Sequence, residues 1–288
     1  LDAKIKRTNN IIEANEEGLV PESALKLRKI TMDDIRRKNV YYDYLKENNL
    51  KYNPNPYTNT GVFSITTLLE NNMLFLIFII FTFLSIDLFL LEVEEGSYKI
   101  IYTQPYERGK IFISKIISTI LIMVLILVVI LVVNFLVNTI LNETGDFREP
   151  IAVSENISSL FLNKENIDFK IISTGKHILL SIILFLTVIF FNIVFISFLS
   201  VFTDSITKTM GIEILMIMLS LLFRKFVSPN SIIHGITPFS YIFTEDVLIN
   251  RYNTNYIFGI LLNLILSGIL LFISYKRFKN KDFLGSGV

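Results

Sequence analysis

The apolar residues of this chain come in long, nearly unbroken runs, and the charged residues gather between them. Five runs are candidate membrane spans. Met73–Leu91 is apolar apart from Thr82, Ser85 and Asp87, and at about 1.5 Å per residue it just crosses a hydrocarbon core of about 30 Å. Ile111–Leu141 has Lys115 as its only charge and exceeds the roughly 20 residues a crossing needs, so it is expected to tilt or to project from the membrane. Ile178–Phe202 and Tyr256–Tyr275 carry no charge. Ser205–Phe223 is the weakest, because its unbroken run, Ile214–Phe223, is short and Lys208 and Glu213 precede it. The pattern predicts an all-α, polytopic helical membrane protein with five spans in this chain.

The chain divides into a polar helical region, 1–70, and a membrane domain, 71–288. In the first, Leu25, Leu27, Ile30, Ile35, Leu45 and Leu50 form a loose amphipathic pattern, and Pro21 suits the first turn of a helix. Thr31 and Asp34 stand at capping-box spacing, which starts a second helix, and Asn53-Pro54-Asn55-Pro56 must end it. Within the membrane domain, residues 142–176 are polar and net acidic. Residues 227–243 are semi-apolar but punctuated by Pro229, Gly235 and Pro238. They are too broken to span and are expected to form a re-entrant or interfacial pair of short helices, the alternative being a surface loop.

Lys276, Arg277, Lys279 and Lys281 follow the last span directly, which predicts a cytoplasmic C-terminus. Counting back through five spans puts residues 1–70 outside. Their basic residues (11 Lys and Arg over residues 1–67) do not oppose this, since long domains weigh little in the positive-inside rule. Without the fourth span, the N-terminal region would be cytoplasmic instead.

Composition agrees with this pattern. The 288 residues are 52% hydrophobic and only 18% charged, with a mean hydropathy of +0.55. A soluble chain carries about a quarter charged residues. The net charge of +1 predicts no affinity for nucleic acid, and the absence of cysteine excludes disulfides and thiolate metal sites. His177 and His234 are too few for a histidine metal centre. The abundance of Ile, Asn and Lys suggests an AT-rich bacterial genome. The chain opens at Leu1 directly into polar sequence, so a preceding piece is expected; Gly285–Val288 is either native or an expression remnant.

No phosphate loop, zinc-protease motif or nucleophile elbow is present in the sequence. No catalytic, cofactor-binding or metal-ligating residue is expected in this chain. Asp87 and Glu213 lie in or near spans, where a buried charge costs at least about 2.5 kcal/mol; both sit toward span ends near water. Asn134, Asn138 and Asn192 are candidates for pathway or helix-packing polar residues.

The segment between the first two spans, 92–110, holds the candidate chemistry. Carboxylates at Glu92, Glu94 and Glu95 open it, an apolar and aromatic run follows, and Pro105, Arg108, Lys110 and Lys115 lead into the second span. Its mixed pattern suits a helix lying along the membrane interface, where a soluble partner can push it. Glu95, Gly96, Ile100, Ile101, Pro105, Arg108 and Lys115 resemble the cytoplasmic signature of type-2 ABC transporter permeases, and the basic ending 277–283 resembles that family's C-terminus. The resemblance covers about residues 70–283. It implies a bacterial cell membrane protein of six spans, here lacking its first. It further implies a second permease subunit, as homodimer or heterodimer, and separate ABC ATPase subunits that carry ATP and Mg. Glu94, Glu95, Gly96, Pro105 and Arg108 are then the candidates for ATPase coupling, and the expected function is export of a hydrophobic or amphipathic substrate. Two readings from other classes stand beside it. One is a membrane sensor or scaffold that binds a partner through residues 1–67, and the other is an ion-coupled secondary transporter.

Overall fold

The computed structural model describes residues 1–17, 32–50, 52, 59–97, 107–154, 169–203 and 205–280. Two helices, α1 (Asp2–Glu16) and α2 (Met32–Glu47), pack on each other ahead of a short helix, α3 (Gly61–Leu68). Next come α4 (Asn71–Glu94) and α5 (Arg108–Leu141), a β-hairpin of β1 (Pro150–Ser154) and β2 (Phe169–Ser173), then α6 (Thr174–Phe202) and α7 (Ile206–Phe226). Two short helices, α8 (Ile232–Ile236) and α9 (Thr244–Leu248), flank a 3-10 turn (Pro238–Ile242) before α10 (Tyr256–Asn280). Helices α4, α5, α6, α7 and α10 are each long and apolar enough to cross a membrane. The protein is all-α in its membrane part and polytopic.

The fourth span, weak in sequence, is a continuous helix of 21 residues. Its two early charges separate: Lys208 is exposed, while Glu213 is fully buried. The buried stripe of α7 is Thr209, Glu213, Ile217 and Ser220, at helical spacing. Neither oxygen of Glu213 has a hydrogen-bond partner among the described residues. A carboxyl so placed destabilises its surroundings in either protonation state, because its polar atoms lose water and gain nothing. Glu213→Met keeps the side chain's length and flexibility and removes both oxygens. The variant is expected to be more stable by about 1–3 kcal/mol, read as a higher midpoint of thermal unfolding in detergent.

The chain turns back at each span end, so the starts of α4, α6 and α10 share one side with the ends of α5 and α7. The hairpin lies on that side. Its strands pair antiparallel, with Pro150 opposite Ser173 and Ser154 opposite Phe169, and α2 packs against both. Pro150 sits at the first strand position, where its missing N–H costs no ladder bond. The sequence reading of residues 142–176 as merely polar misses this element.

α5 runs for 34 residues, about 51 Å, with no proline to interrupt it. On the hairpin side the end of this helix is tied to the segment before α3. Asn59 Nδ2 donates to Asn138 Oδ1 at 3.0 Å, Asn142 Nδ2 donates to the Asn59 carbonyl at 2.8 Å, and the Gly61 amide donates to the Glu143 carbonyl at 2.8 Å. Gly61 lies so close to Thr139 that any Cβ would overlap it.

The segment between α7 and α10 folds inward. Phe239 stands among Phe78 of α4 and Phe191 and Phe195 of α6, with ring centroids 5.9, 5.5 and 6.1 Å away. The first residue of α10, Tyr256, donates its hydroxyl to the Leu180 carbonyl at 3.1 Å. Phe191 lies about 16 Å further along α6 than Leu180, so the 3-10 turn dips well below the start of α10. Tyr241 is fully buried; it donates to the Gly235 carbonyl at 2.8 Å and packs its ring onto Gly259 of α10. Phe239, Tyr241 and Ile242 of the 3-10 turn are thus buried against neighbouring helices, and cover by protein is the condition for irregular chain at membrane depth.

Candidate functional site

The link between α4 and α5 is on the side opposite the hairpin. α4 ends in a glycine stop: the Glu95 amide donates to the Leu91 carbonyl at 2.9 Å, and Gly96 follows with φ of +75°. A left-handed residue after the last turn is where glycine costs least. Gly96 thus ends the span, and its Cβ position faces open space. Glu94 and Glu95 are exposed on either side of that stop. Residues 98–106, which include Pro105, Ile100 and Ile101, lie outside the described residues.

Two ion pairs fasten the ends of this link to the spans. Lys115 Nζ donates to a Glu92 carboxylate oxygen at 2.8 Å and to the Phe89 carbonyl at 3.0 Å, bridging α5 to the last turn of α4. Lys115 is mostly buried and Glu92 only partly exposed, so this pair is better shielded from water than an ordinary surface pair. At the other end, Glu107 lies 3.6 Å from Lys279 of α10 and 3.7 Å from Lys110. Packing reinforces that junction. A Cβ on Gly109 would stand 2.6 Å from the Tyr275 hydroxyl, and the Phe112 and Phe278 rings are 4.8 Å apart. Arg108 is half-buried in the first turn of α5.

The structure therefore gathers Glu94, Glu95, Gly96 and Arg108 at the two mouths of one link. The three asparagines lie elsewhere. Asn138 bonds Asn59 at the far end of α5 and donates to the Asn134 carbonyl at 2.8 Å. Asn192 is buried in α6 and donates to Thr82 Oγ1 of α4 at 3.0 Å. Each of the latter two bonds is local to a helix or joins two neighbouring helices.

A second polar cluster lies on the hairpin side and escapes sequence reasoning. Asp246 of α9, with a side chain only 3% exposed, forms ion pairs with Arg224 at the end of α7 and with Arg251. The Arg224 guanidinium also lies 3.7 Å from the centroid of the Phe243 ring. A signal was present: Arg224 and Lys225 follow directly on an apolar helix, where a cation drawn into the packing needs a carboxylate. Among the described residues, no three His, Asp or Glu side chains are grouped as metal ligands.

No curated protein and no solved structure matches this chain. Residues 39–284 match the model of a family of proteins of unknown function, DUF2705, and with most of its length so covered the chain belongs to that family.

Proposed function

We propose that this chain is the membrane-spanning permease subunit of an ATP-driven ABC transporter, exporting a hydrophobic or amphipathic substrate across a bacterial cell membrane. The observation that carries this reading is the way the link between α4 and α5 is held. Its ends are pinned by Glu92–Lys115 and Glu107–Lys279 to three spans, while Glu94 and Glu95 remain exposed. A soluble partner that pushes on the link moves α4, α5 and α10 together. In this reading the link and the C-terminus face the cytoplasm. The partners are ABC ATPase subunits, which bring ATP and Mg, and a second permease, identical or not. Glu94 and Glu95 supply docking charge, Gly96 sets the direction in which the chain leaves α4, and Arg108 roots the link in α5.

The test is co-purification of the detergent-solubilised protein with its native neighbours, followed by an ATPase assay. An ATPase is expected to accompany the chain. Replacing both exposed charges, Glu94→Ala with Glu95→Ala, is expected to weaken its attachment about fivefold, the scale of exposed charge contacts. Arg108→Ala is expected to uncouple hydrolysis from transport more than it weakens attachment. If no ATPase accompanies the protein under conditions that preserve other membrane complexes, the transport reading fails. The platform of α1, α2 and the hairpin then becomes the place to look for a binding partner.

A further inference from the structure

At the end of α10, on the side opposite the hairpin, an open groove runs between this helix and the end of α6. Phe202, Phe272, Ile273, Lys276, Arg277 and Asn280 line it. Helical spacing arranges these residues in two columns. Phe272, Lys276 and Asn280 follow one another by single turns, and so do Ile273 and Arg277. In each column an apolar side chain sits one turn deeper than a cation. Phe272 is 68% exposed, with Phe202 and Ile273 also exposed, so the floor of the groove is open apolar surface at the edge of the span. Lys276 and Arg277 are exposed above it, and among the described residues neither is paired with a carboxylate. The basic neighbour Lys279, by contrast, is engaged with Glu107. The Arg277 guanidinium lies 4.5 Å from the centroid of the Phe202 ring, which holds it over the groove.

From this arrangement we infer that the groove binds one anionic phospholipid, with its phosphate between Lys276 and Arg277 and an acyl chain along Phe272, Ile273 and Phe202. The occupant is fixed by the pattern. Cations alone would suit any anion, but here each stands directly above exposed apolar surface, and only an amphiphile satisfies both layers. Asn280, one turn beyond Lys276, is placed to hydrogen-bond the headgroup. This site is independent of the transport reading and holds for a sensor or scaffold equally well.

The test is native mass spectrometry of the detergent-purified full chain, with phosphatidylglycerol and phosphatidylcholine of identical acyl chains added in turn. Phosphatidylglycerol is expected to be retained in clear preference. Lys276→Gln and Arg277→Gln are each expected to weaken its retention about fivefold, the share of one cation at an anionic membrane surface. Lys208→Gln, which removes an exposed cation from the start of α7, is expected to change nothing. Phe272→Ala is expected to weaken both lipids, and inorganic phosphate is expected not to displace the bound lipid. The preference of the unaltered protein is itself a measurement that needs no variant to fold. Equal retention of the two lipids overturns the inference, as does indifference to both charge substitutions. Displacement by inorganic phosphate overturns it in favour of a free-anion site.

Discussion

Asp246→Ala is expected to be the most damaging single substitution in the hairpin-side half of the molecule. The wild-type carboxylate is almost fully buried and faces two guanidinium groups, Arg224 and Arg251. Arg251 is largely exposed and recovers water when the carboxylate is lost. Arg224 does not: its side chain is 23% exposed and stacked against Phe243, so the substitution strands a partly buried cation. Removing one partner from a buried ion pair costs about 3–5 kcal/mol, most of it the penalty on the charge left behind. For a chain of this size that corresponds to a fall of roughly 10 °C in the unfolding midpoint. Far-UV circular dichroism in detergent would measure it. The cause is separable from lost packing by a double variant. Asp246→Ala with Arg224→Met removes the stranded charge and is expected to recover much of the loss. A double variant as unstable as Asp246→Ala alone would show that the packing of α9, not the ion pair, holds the cluster together.

Gly259→Val is the second large effect, and it works by overlap instead of charge. In the native packing the Tyr241 ring lies against the Cα of Gly259, so closely that any Cβ there falls on the ring. Tyr241 cannot yield easily, since it is fully buried and its hydroxyl is bonded to Gly235 within the same inward-folded segment. Valine is therefore expected to force the 3-10 turn off α10 and cost about 3 kcal/mol, at the upper end of overpacking effects. Tyr241→Leu added to Gly259→Val is expected to restore part of the stability by emptying the contested space. Gly268→Ala is the matched control on the same helix. Its Cβ meets nothing within 4 Å, so alanine is expected to be neutral or to stabilise the helix by up to about 1 kcal/mol. If valine at 259 proved as harmless as alanine at 268, the return segment would not pack on α10 in the membrane.

The spans were legible in the sequence because their signal is local: a run of apolar side chains needs no knowledge of its neighbours to be read as a membrane helix. Even the fourth span followed this rule once Lys208 was allowed an exposed position at its start. Glu213 was harder, because a carboxyl in a span resembles a boundary until its fully buried position among Thr209 and Ile217 is known. The hairpin was not legible. Its strands are short, and the alternation of Ile151 and Val153 is too brief to stand out in a polar stretch. The broken segment 227–243 showed its punctuation but not its depth, which depends on Phe78, Phe191 and Phe195, all distant in sequence. At the candidate site, Gly96 and the acidic cluster were visible as residues. The Glu107–Lys279 pair was not, since its partners stand far apart in sequence, before the second span and at the end of the last, and only the packing of α5 against α10 brings them together.

The length of α5 has a mechanical consequence. With its backbone ladder unbroken from Arg108 to Leu141, it behaves as one stiff rod, about 51 Å from end to end. Tilting such a rod by about 10° around its lower end sweeps the upper end sideways by about 9 Å. The upper end is bonded to Asn59 and abuts Gly61, so that sweep is delivered to the platform on the hairpin side instead of being lost within the lipid. Any change in the tilt of α5 is therefore felt most strongly at the Asn59 and Gly61 contacts, far from the Glu107 end about which it turns.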